Sequence, residues 1–480
     1  MKFYKAFLFP TLLACLSLSS CYHEFSTTTC GASCNNNGNA FVNVTVTSTP
    51  SSTIFFPTLV FEAANISIVN SAGIPTTIAG GAGTPPLAFS QMQTNSIYLG
   101  HVTLAATNYT TLQIQYLTPF FSNFFNSTNS TVLGCASGAV CLIPNTVPGY
   151  GATTLNIPIT YTPTANTNTG IRINFDLSKA VTAVGGLTFD FTQAGAITVS
   201  PLPPTATSQP TGLDTADNVT GVVTAATGTT VTVSSFADEA RTFAISNTAV
   251  FEDPLNVCNG APVNGTCIAP NQNITIDGLI NSDGTRTANQ IEFLDPAPAV
   301  NELEGIITSP LANGQFTMSL TNGMGSTVLI ITTPVLVKLS GAETYAVDPK
   351  NLGISTSTLG FQGATDLVVG QTVMVQGGTF NGNGTSITNP TRVLLRYSSI
   401  GGLVQTPSGT TFNLAGLSSF FTNLVGNSVQ VQTFQTTNYD NISNFNGLIG
   451  GTTKASVLGL YLNPTSGATQ PLLAAKVRSH

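Results

Sequence analysis

The sequence is poor in charged side chains, has few histidines and contains no tryptophan. Lys and Arg number 13 and Asp and Glu number 20, so charged residues make up 7% of the 480 residues and the net charge is −7. A nucleic-acid-binding protein usually presents a basic surface, which so few cations do not supply. We therefore expect no nucleic-acid partner. The missing tryptophan also weakens a lectin-like interpretation, because sugar-binding platforms often use that ring.

The three histidines leave little room for histidine-dependent catalysis. His23 lies in the N-terminal segment, His480 is the last residue, and His101 falls inside a predicted domain, where a polar residue at a strand end explains it. A hydrolytic triad needs a histidine, and no Gly-x-Ser-x-Gly elbow accompanies His101. His-Glu-x-x-His, P-loop and Cys-x-x-Cys motifs are absent too. We expect a protein that is not an enzyme and has no cofactor or metal.

Carboxylate pairs are the remaining catalytic candidates, because glycoside hydrolases use two acids about 5 to 9.5 Å apart. The close pairs are Asp238 with Glu239, Glu252 with Asp253, and Glu302 with Glu304. The second and third pairs lie beside Pro or Asn, and we assign all three pairs to solvated turns. Asn281 and Asp283 lack the acidic ladder and terminal Glu of an EF-hand loop, and a hairpin turn explains them at least as well as calcium does.

The first residues have the pattern of a secretory signal. Two lysines precede an apolar run over residues 6–18, which is shorter than the roughly 20 residues of a membrane-spanning helix. The stretch Leu18-Ser19-Ser20-Cys21 resembles the bacterial lipobox, in which the cysteine is acylated after cleavage. Residues 1–20 are therefore predicted to be a lipoprotein signal peptide, and Cys21 is predicted to carry the lipid that anchors the protein to a membrane.

Cysteine pairing supports lipidation, because removing the signal leaves an odd set of cysteines and setting Cys21 aside leaves close pairs. The disulfide candidates are Cys30 with Cys34, Cys135 with Cys141, and Cys258 with Cys267. Their scattered spacing, without neighbouring histidines, disfavours zinc. The alternative is ordinary cleavage, with Cys21 left as a disulfide partner.

Localisation follows from the residue after the lipidated cysteine. This residue is Tyr22, whereas lipoproteins retained in the inner membrane carry Asp there. We expect a bacterial cell-envelope protein, with an outer-membrane lipoprotein facing the periplasm or the cell surface favoured. Residues 21–39 are rich in Ser, Thr, Asn and Gly and are predicted to form a flexible tether.

The fold class is predicted to be all-β, with an N-terminal β-sandwich followed by three small repeated β-barrel domains. Residues 41–47 (FVNVTVT) alternate with the period of a half-buried strand, and the pattern recurs through the sandwich, residues 40–200. A Pro-rich linker follows at 201–217. Hairpins then begin near Gly221, Gly305 and Gly402.

The repeat spacing suits small independent β-domains. A second repeated block comprises residues 273–278, 370–377 and 426–432. The predicted barrels are residues 218–297, 301–397 and 399–480.

These features resemble two bacterial families of domains of unknown function. The stretches FVNVTVTSTP and FPTLVFEAANISIVN are similar to family 4382, and the repeated GxV…vGxxVxVxG pattern is similar to family 5666. The resemblances cover nearly the whole mature chain. They imply envelope lipoproteins with a β-sandwich and small β-barrels, and bring no catalytic residues. The middle repeat departs from the pattern, with an insertion around residues 342–360.

A run of phenylalanines is the candidate ligand patch. Its members are Phe120, Phe121, Phe124 and Phe125. If exposed, they would form a sticky surface for a partner or glycan, but core packing of a short helical turn is favoured.

The leading hypothesis is a non-enzymatic, lipid-anchored envelope protein that acts as a structural or interaction scaffold, built as an extended stalk or binding surface. Its partner would be an envelope protein or a polysaccharide. The alternative is a surface adhesin or carbohydrate-binding lipoprotein. A hydrolase that uses a carboxylate pair is the third class.

Overall fold

The computed structural model describes most of the chain from Gly38 onward. The described residues are 38–51, 54–61, 63–80, 87–116, 120–144, 146–150, 153–165, 168–182, 186–202, 212–235, 238–281, 285–294, 301–324, 334–349, 352–355, 359–381, 384–421, 428–463 and 472–480. The predicted signal peptide, most of the tether and most of the linker lie outside them. Cys21, Cys30, Cys34 and Asp283 lie outside them as well.

The N-terminal region is built almost entirely from strands. They are β1 Asn39–Thr49, β2 Phe55–Phe61, β3 Ala63–Asn70, β4 Pro75–Gly80, β5 Leu87–Ala88, β6 Ile97–Ala105, β7 Tyr109–Tyr116, β8 Phe120–Phe125, β9 Val140–Leu142, β10 Thr153–Tyr161, β11 Asn168–Asp176, β12 Val181–Thr182, β13 Thr188–Phe189 and β14 Ile197–Pro201. Short helices α1 Phe89–Met92 and α2 Leu177–Ala180 interrupt them. The region is a β-sandwich: one sheet has the order β14-β11-β1-β6, another β10-β7-β3-β4, and their apolar side chains share one core.

Strand β1 is buried on both faces, although its alternating sequence predicts a half-buried strand. Val42 and Val44 belong to the sandwich core, while Asn43 and Thr45, on the opposite face, are also fully buried. The polar face is closed because later parts of the chain pack against this sheet. Asn43 is hydrogen bonded there, since its side-chain amide donates to the Thr169 carbonyl oxygen at 3.2 Å.

The first repeat closes into a small barrel, called barrel 1. Its strands are β15 Gly212–Ala226, β16 Thr230–Ser235, β17 Asp238–Glu252, β18 Asn273–Asn281 and β19 Arg286–Phe293. They pair in the closed order β15-β16-β17-β19-β18, and β17 and β19 run parallel. This order, with the third and fifth strands parallel, is that of the five-stranded Greek-key barrel called the OB fold.

The second and third repeats follow the same order within one continuous sheet. Their strands are β20 Glu302–Ile307, β21 Gln315–Met324, β22 Val335–Lys338, β23 Thr344–Val347, β24 Thr372–Gln376, β25 Thr379–Phe380, β26 Ser386–Thr388, β27 Arg392–Ser408, β28 Thr411–Ala415, β29 Ser428–Asp440, β30 Lys454–Tyr461 and β31 Leu472–Ser479. In barrel 3, β27, β28, β29, β31 and β30 pair in a ring, with β29 parallel to β31. In barrel 2 the third strand is split into β22 and β23, and β25 and β26 form an extra hairpin.

Strand β27 belongs to both barrel 2 and barrel 3. Residues 392–396 pair with β24 of barrel 2, and residues 397–403 pair with β30 of barrel 3. The strand therefore runs straight through the boundary predicted between residues 397 and 399.

The repeated glycines mark a close approach of two strands. At Gly221, Gly305 and Gly402 an added Cβ would lie between 2.4 and 2.9 Å from a carbonyl oxygen of the following strand.

The second repeated block predicted from the sequence is wrong for the third repeat. Its described part, residues 428–432, begins β29, whereas the counterpart of β18 and β24 is β30, which pairs with the first strand of its barrel as they do.

The sandwich and barrels pack together, which corrects the expectation of an extended stalk. Thr58 of the sandwich bonds Ser319 of barrel 2 at 2.8 Å between hydroxyl oxygens. Tyr98 of the sandwich is part of the core cluster of barrel 1. Thr49 lies beside His480 of barrel 3, 3.3 Å from Oγ1 to Nδ1. Segments up to 431 residues apart are thus neighbours.

Candidate functional site

The carboxylates assigned to solvated turns have other positions in the structure. Glu302 and Glu304 lie in strand β20 and are 0% and 3% exposed, so the turn interpretation is wrong for them. Glu252 ends strand β17 and is half-buried. Asp253 accepts hydrogen bonds from the backbone N–H groups of Val257 and Cys258, which is a structural role. The side chains of Asp238 and Glu239 lie outside the described residues.

Barrels 1 and 2 meet at a buried cluster of charged residues, which we call the acidic junction. Its members are Glu252 and Asp277 and Glu292 of barrel 1, Glu304 and Asp348 of barrel 2, and Arg396 of strand β27. Glu292 and Asp348 are 3% and 0% exposed. Buried carboxylates are costly unless they are paired, so the arrangement around the arginine decides the stability of this contact.

Arg396 lies at the centre of the acidic junction and is fully buried. Its Nη1 forms an ion pair with Asp348 Oδ2 and lies 3.8 Å from Glu292 Oε2, while its Nε lies 3.6 Å from Glu304 Oε2. Its Nη2 donates to the Thr220 hydroxyl at 2.9 Å, in barrel 1. Burial alone lowers the pKa of Arg396, but the surrounding carboxylates outweigh it and raise that pKa, so the guanidinium stays charged.

The acidic junction forms part of the wall of a cavity of about 800 Å³. Glu252 and Glu292 line it from barrel 1, and Tyr345 and Arg392 line it from barrel 2. One carboxylate oxygen from each of Glu252, Glu292 and Asp348 lies within 4.8 Å of one oxygen of the other two. The three oxygens form an anionic group suited to a cation.

A second charged junction joins the sandwich, barrel 1 and barrel 3. Arg172 of strand β11 lies 2.9 Å from Asp214 of β15 and 3.4 Å from Asp440 of β29, measured from guanidinium nitrogen to carboxylate oxygen. Arg478 of β31 lies 2.5 Å from Asp440 and donates to the Asn95 carbonyl oxygen of the sandwich at 2.9 Å. Two arginines face two aspartates at this junction, so the charges are balanced, and the ion pairs hold the three domains together.

The surroundings of Asp440 predict that the stability of the folded protein depends on pH. Burial alone raises the pKa of Asp440, but Arg478 and Arg172 outweigh it and hold that pKa below 3.8. A carboxyl with a depressed pKa stabilises the fold above its unfolded-state pKa, and this stability is lost as the pH falls below about 4. We expect Asp440→Asn to cost about 3 kcal/mol at pH 7 and progressively less below pH 4. Urea unfolding at pH 7, 4 and 2.5 measures this.

Asp190→Asn is the control for that series, because hydrogen bonds from Thr192 and Gln193 in a turn, and not ion pairs, lower the pKa of Asp190. Asn keeps an acceptor oxygen, so we expect a loss of at most about 1 kcal/mol. An equal cost of Asp440→Asn at pH 7 and pH 2.5 would contradict the assigned ion pairs.

An aromatic junction also joins the sandwich to barrel 3. Phe55 stacks on Phe420 with ring centroids 4.4 Å apart, and Phe125 meets the same ring edge-on at 5.2 Å. Beside it lies a cavity of about 300 Å³, lined by Phe55 and Phe421 rings and by the serines at 418 and 419 among others. The cavity offers apolar ring surface together with hydroxyl groups.

The predicted phenylalanine patch takes part in this packing. Phe120–Phe125 form strand β8, so the helical turn is wrong. Phe124 and Phe125 are 1% and 8% exposed, which confirms core packing for these two and removes them from an exposed surface. The side chains of Phe120 and Phe121 lie outside the described residues.

Cysteine pairing agrees with the sequence wherever the structure describes it. Cys135 is bonded to Cys141 and Cys258 to Cys267, with Cα atoms 5.8 and 5.6 Å apart. Loops this short clip local segments and do not join domains.

Arg396 and Glu292, two members of the acidic junction, were missed by the sequence analysis. Arg396 follows the apolar run Val393-Leu394-Leu395, and Glu292 stands between Ile291 and Phe293. A charge inside an apolar strand is a usable signal in a chain where 7% of residues are charged. Which charges meet was not predictable, because the partners come from strands of different domains.

The chain matches no protein-family model and no curated protein. The two family resemblances therefore stay predictions. Within the described residues, none of the helices has the length and apolar character needed to cross a bilayer.

Proposed function

We propose that this protein is a non-enzymatic, lipid-anchored scaffold of the bacterial cell envelope. The observation that carries the proposal is that the buried arginines lie at contacts between domains. Arg172, Arg396 and Arg478 each form an ion pair with a carboxylate of another domain, namely Asp214, Glu292 and Asp214. Such contacts give one rigid body that presents a fixed surface, which suits a scaffold held to a membrane by a tether.

Lipidation at Cys21 is the part of the proposal that is tested first. In cells fractionated by density, we expect the wild-type protein in the outer-membrane fraction and the Cys21→Ser protein outside it. A Cys21→Ala protein gives the same test with a side chain that cannot be acylated or form a hydrogen bond. If the Cys21→Ser protein stays in the membrane fraction with its signal removed, the anchor proposal is wrong.

Carbohydrate binding is a second candidate function, favoured by the cavity beside the aromatic junction. Ligand cavities of about this size combine apolar walls with a few polar groups, and a sugar presents both an apolar face and hydroxyls. Ser419 lines the cavity and is half-buried, so Ser419→Trp fills it without removing a core side chain. The control is Ser71→Trp in the exposed turn after strand β3.

The test is retention of the purified chain on immobilised peptidoglycan and exopolysaccharide from the producing cell. Saturable retention that Ser419→Trp abolishes and Ser71→Trp leaves intact supports this candidate. If neither the wild type nor the Ser71→Trp control is retained on any glycan, carbohydrate binding is excluded as a function and the scaffold proposal remains.

A further inference from the structure

The acidic junction carries more negative than positive charge. Its carboxylates are Glu252, Asp277, Glu292, Glu304 and Asp348. Arg396 is at the centre, Arg392 lines the adjoining cavity, and Arg241 lines a neighbouring cavity together with Glu304. Three guanidinium groups against five carboxylates leave an excess of negative charge in a largely buried region. Such an excess is costly unless a proton or a cation balances it.

Glu252, Glu292 and Asp348 lie close enough together for one ion. One oxygen of each lies within 4.8 Å of one oxygen of the others. Calcium binds oxygens at 2.3–2.6 Å, so ligands on opposite sides of one ion are about 5 Å apart. The observed separations fit within that limit.

Asp348 supplies an independent observation that points to a ligand. Its side chain is fully buried, and Arg396 Nη1 pairs with Oδ2. The other oxygen, Oδ1, is buried and has no hydrogen-bond partner among the described residues. The Asp348 backbone N–H donates to the Leu395 carbonyl oxygen at 3.0 Å, which fixes this residue beside strand β27. A buried acceptor left without a donor is the atom that a cation would satisfy.

We propose that Glu252, Glu292 and Asp348 bind a divalent cation of the calcium class at the contact between barrels 1 and 2. The ligands are carboxylate oxygens, which are preferred by hard cations, and no His or Cys belongs to the triad. The adjoining cavity leaves space for the waters that complete a coordination shell of six to eight oxygens.

The bound ion joins two domains, because Glu252 and Glu292 come from strands β17 and β19 of barrel 1 and Asp348 follows β23 of barrel 2. Asp348 then bridges the ion and Arg396, with one oxygen on each. An interface ion of this kind makes the contact between barrels depend on the calcium concentration around the protein, and we expect a dissociation constant of ~10⁻⁴ to 10⁻³ M, the range of extracellular calcium-binding modules.

In the experiment, the purified full chain is freed of metal with EDTA and titrated with Tb³⁺. CaCl₂ is then added to compete with the bound Tb³⁺. Tyr345 lines the same cavity, so excitation of tyrosine should give Tb³⁺ luminescence. We expect luminescence that saturates at one ion per chain and falls on addition of Ca²⁺. In parallel, 5 mM CaCl₂ should raise the Tm by about 2 to 4 °C over EDTA.

Glu252→Gln is the decisive variant, because Glu252 is half-buried and its amide replacement is close to isosteric. We expect it to weaken Ca²⁺ binding by at least about tenfold and to reduce the Tm shift at 5 mM CaCl₂ to about half or less. Asp190→Asn removes one carboxylate in the sandwich and should change neither. The proposal is overturned if the wild-type chain shows no Ca²⁺-dependent Tm shift and no competed luminescence. It is also overturned if Glu252→Gln, folded by circular dichroism, keeps the wild-type affinity.

Discussion

Arg396→Met is expected to destabilise the protein by at least about 3 to 5 kcal/mol, or to prevent its folding. The side chain is fully buried, and its removal leaves the carboxylates of Asp348, Glu292 and Glu304 facing one another without their shared counter-ion. Methionine fills a similar volume, so the loss reports mainly the charge. Urea unfolding followed by circular dichroism measures the change in free energy.

Two variants separate the charge from the shape of Arg396. Arg396→Lys keeps a cation but loses the planar fork that reaches several partners at once, so we expect an intermediate loss. Lys338→Met removes a half-buried cation from strand β22 of the same barrel and should change stability by at most about 0.5 kcal/mol. If Arg396→Met costs no more than Lys338→Met, the acidic junction does not hold the barrels together.

A compensation test adds to this. Replacing Arg396 together with its acidic partners, as in Arg396→Met with Glu292→Gln and Asp348→Asn, should recover part of the lost stability. Burying neutral groups costs far less than burying unpaired charges, and energies at neighbouring sites are strongly non-additive.

Phe420→Ala is expected to cost about 3 to 5 kcal/mol, the second large effect. Phe420 is 3% exposed and contacts the rings of Phe55 and Phe125 from the sandwich and Phe421 beside it in the chain. Its truncation leaves a cavity between the sandwich and barrel 3. Because the contact joins two domains, calorimetry should show a broader or split unfolding transition for the variant than for the wild type.

Phe380→Ala is the matched control for this prediction. Phe380 lies on strand β25, is half-buried and packs against the core cluster that contains the apolar residues of barrel 2. We expect a loss of about 1 kcal/mol with the shape of the transition unchanged. A similar loss and a similar transition for both variants would mean that the aromatic junction does not couple the domains.

The repeat glycines show what the sequence could predict. A strand that passes within contact distance of its neighbour's carbonyl oxygens needs glycine, so Gly221, Gly305 and Gly402 mark the first strand of each barrel without knowledge of the fold. The all-β class follows from the two-residue period in the same way. Both are local properties, and local properties are present in the sequence itself.

The third repeat shows where local patterns end. The pattern favours the alternating segment Val429-Gln430-Val431 over strand β30, whose sequence KASVLGLY contains one valine, Val457. Pairing with β27 decides between them, and pairing is set by contacts between distant segments. Glu302 and Glu304 were misplaced for the same reason, because their burial depends on barrel 1, which packs over them only in the folded chain.

Because barrels 2 and 3 share strand β27, neither of them can be lost or exchanged without the other. A gene that lost residues 399–480 would keep residues 392–396 for barrel 2 but would lose Leu458, Leu460 and Leu473, which share a hydrophobic core cluster with barrel 2, and would expose that apolar surface. Barrel 1 closes with strands of its own. During evolution, we therefore expect the first barrel to be gained or exchanged singly, and the second and third to be inherited as a pair.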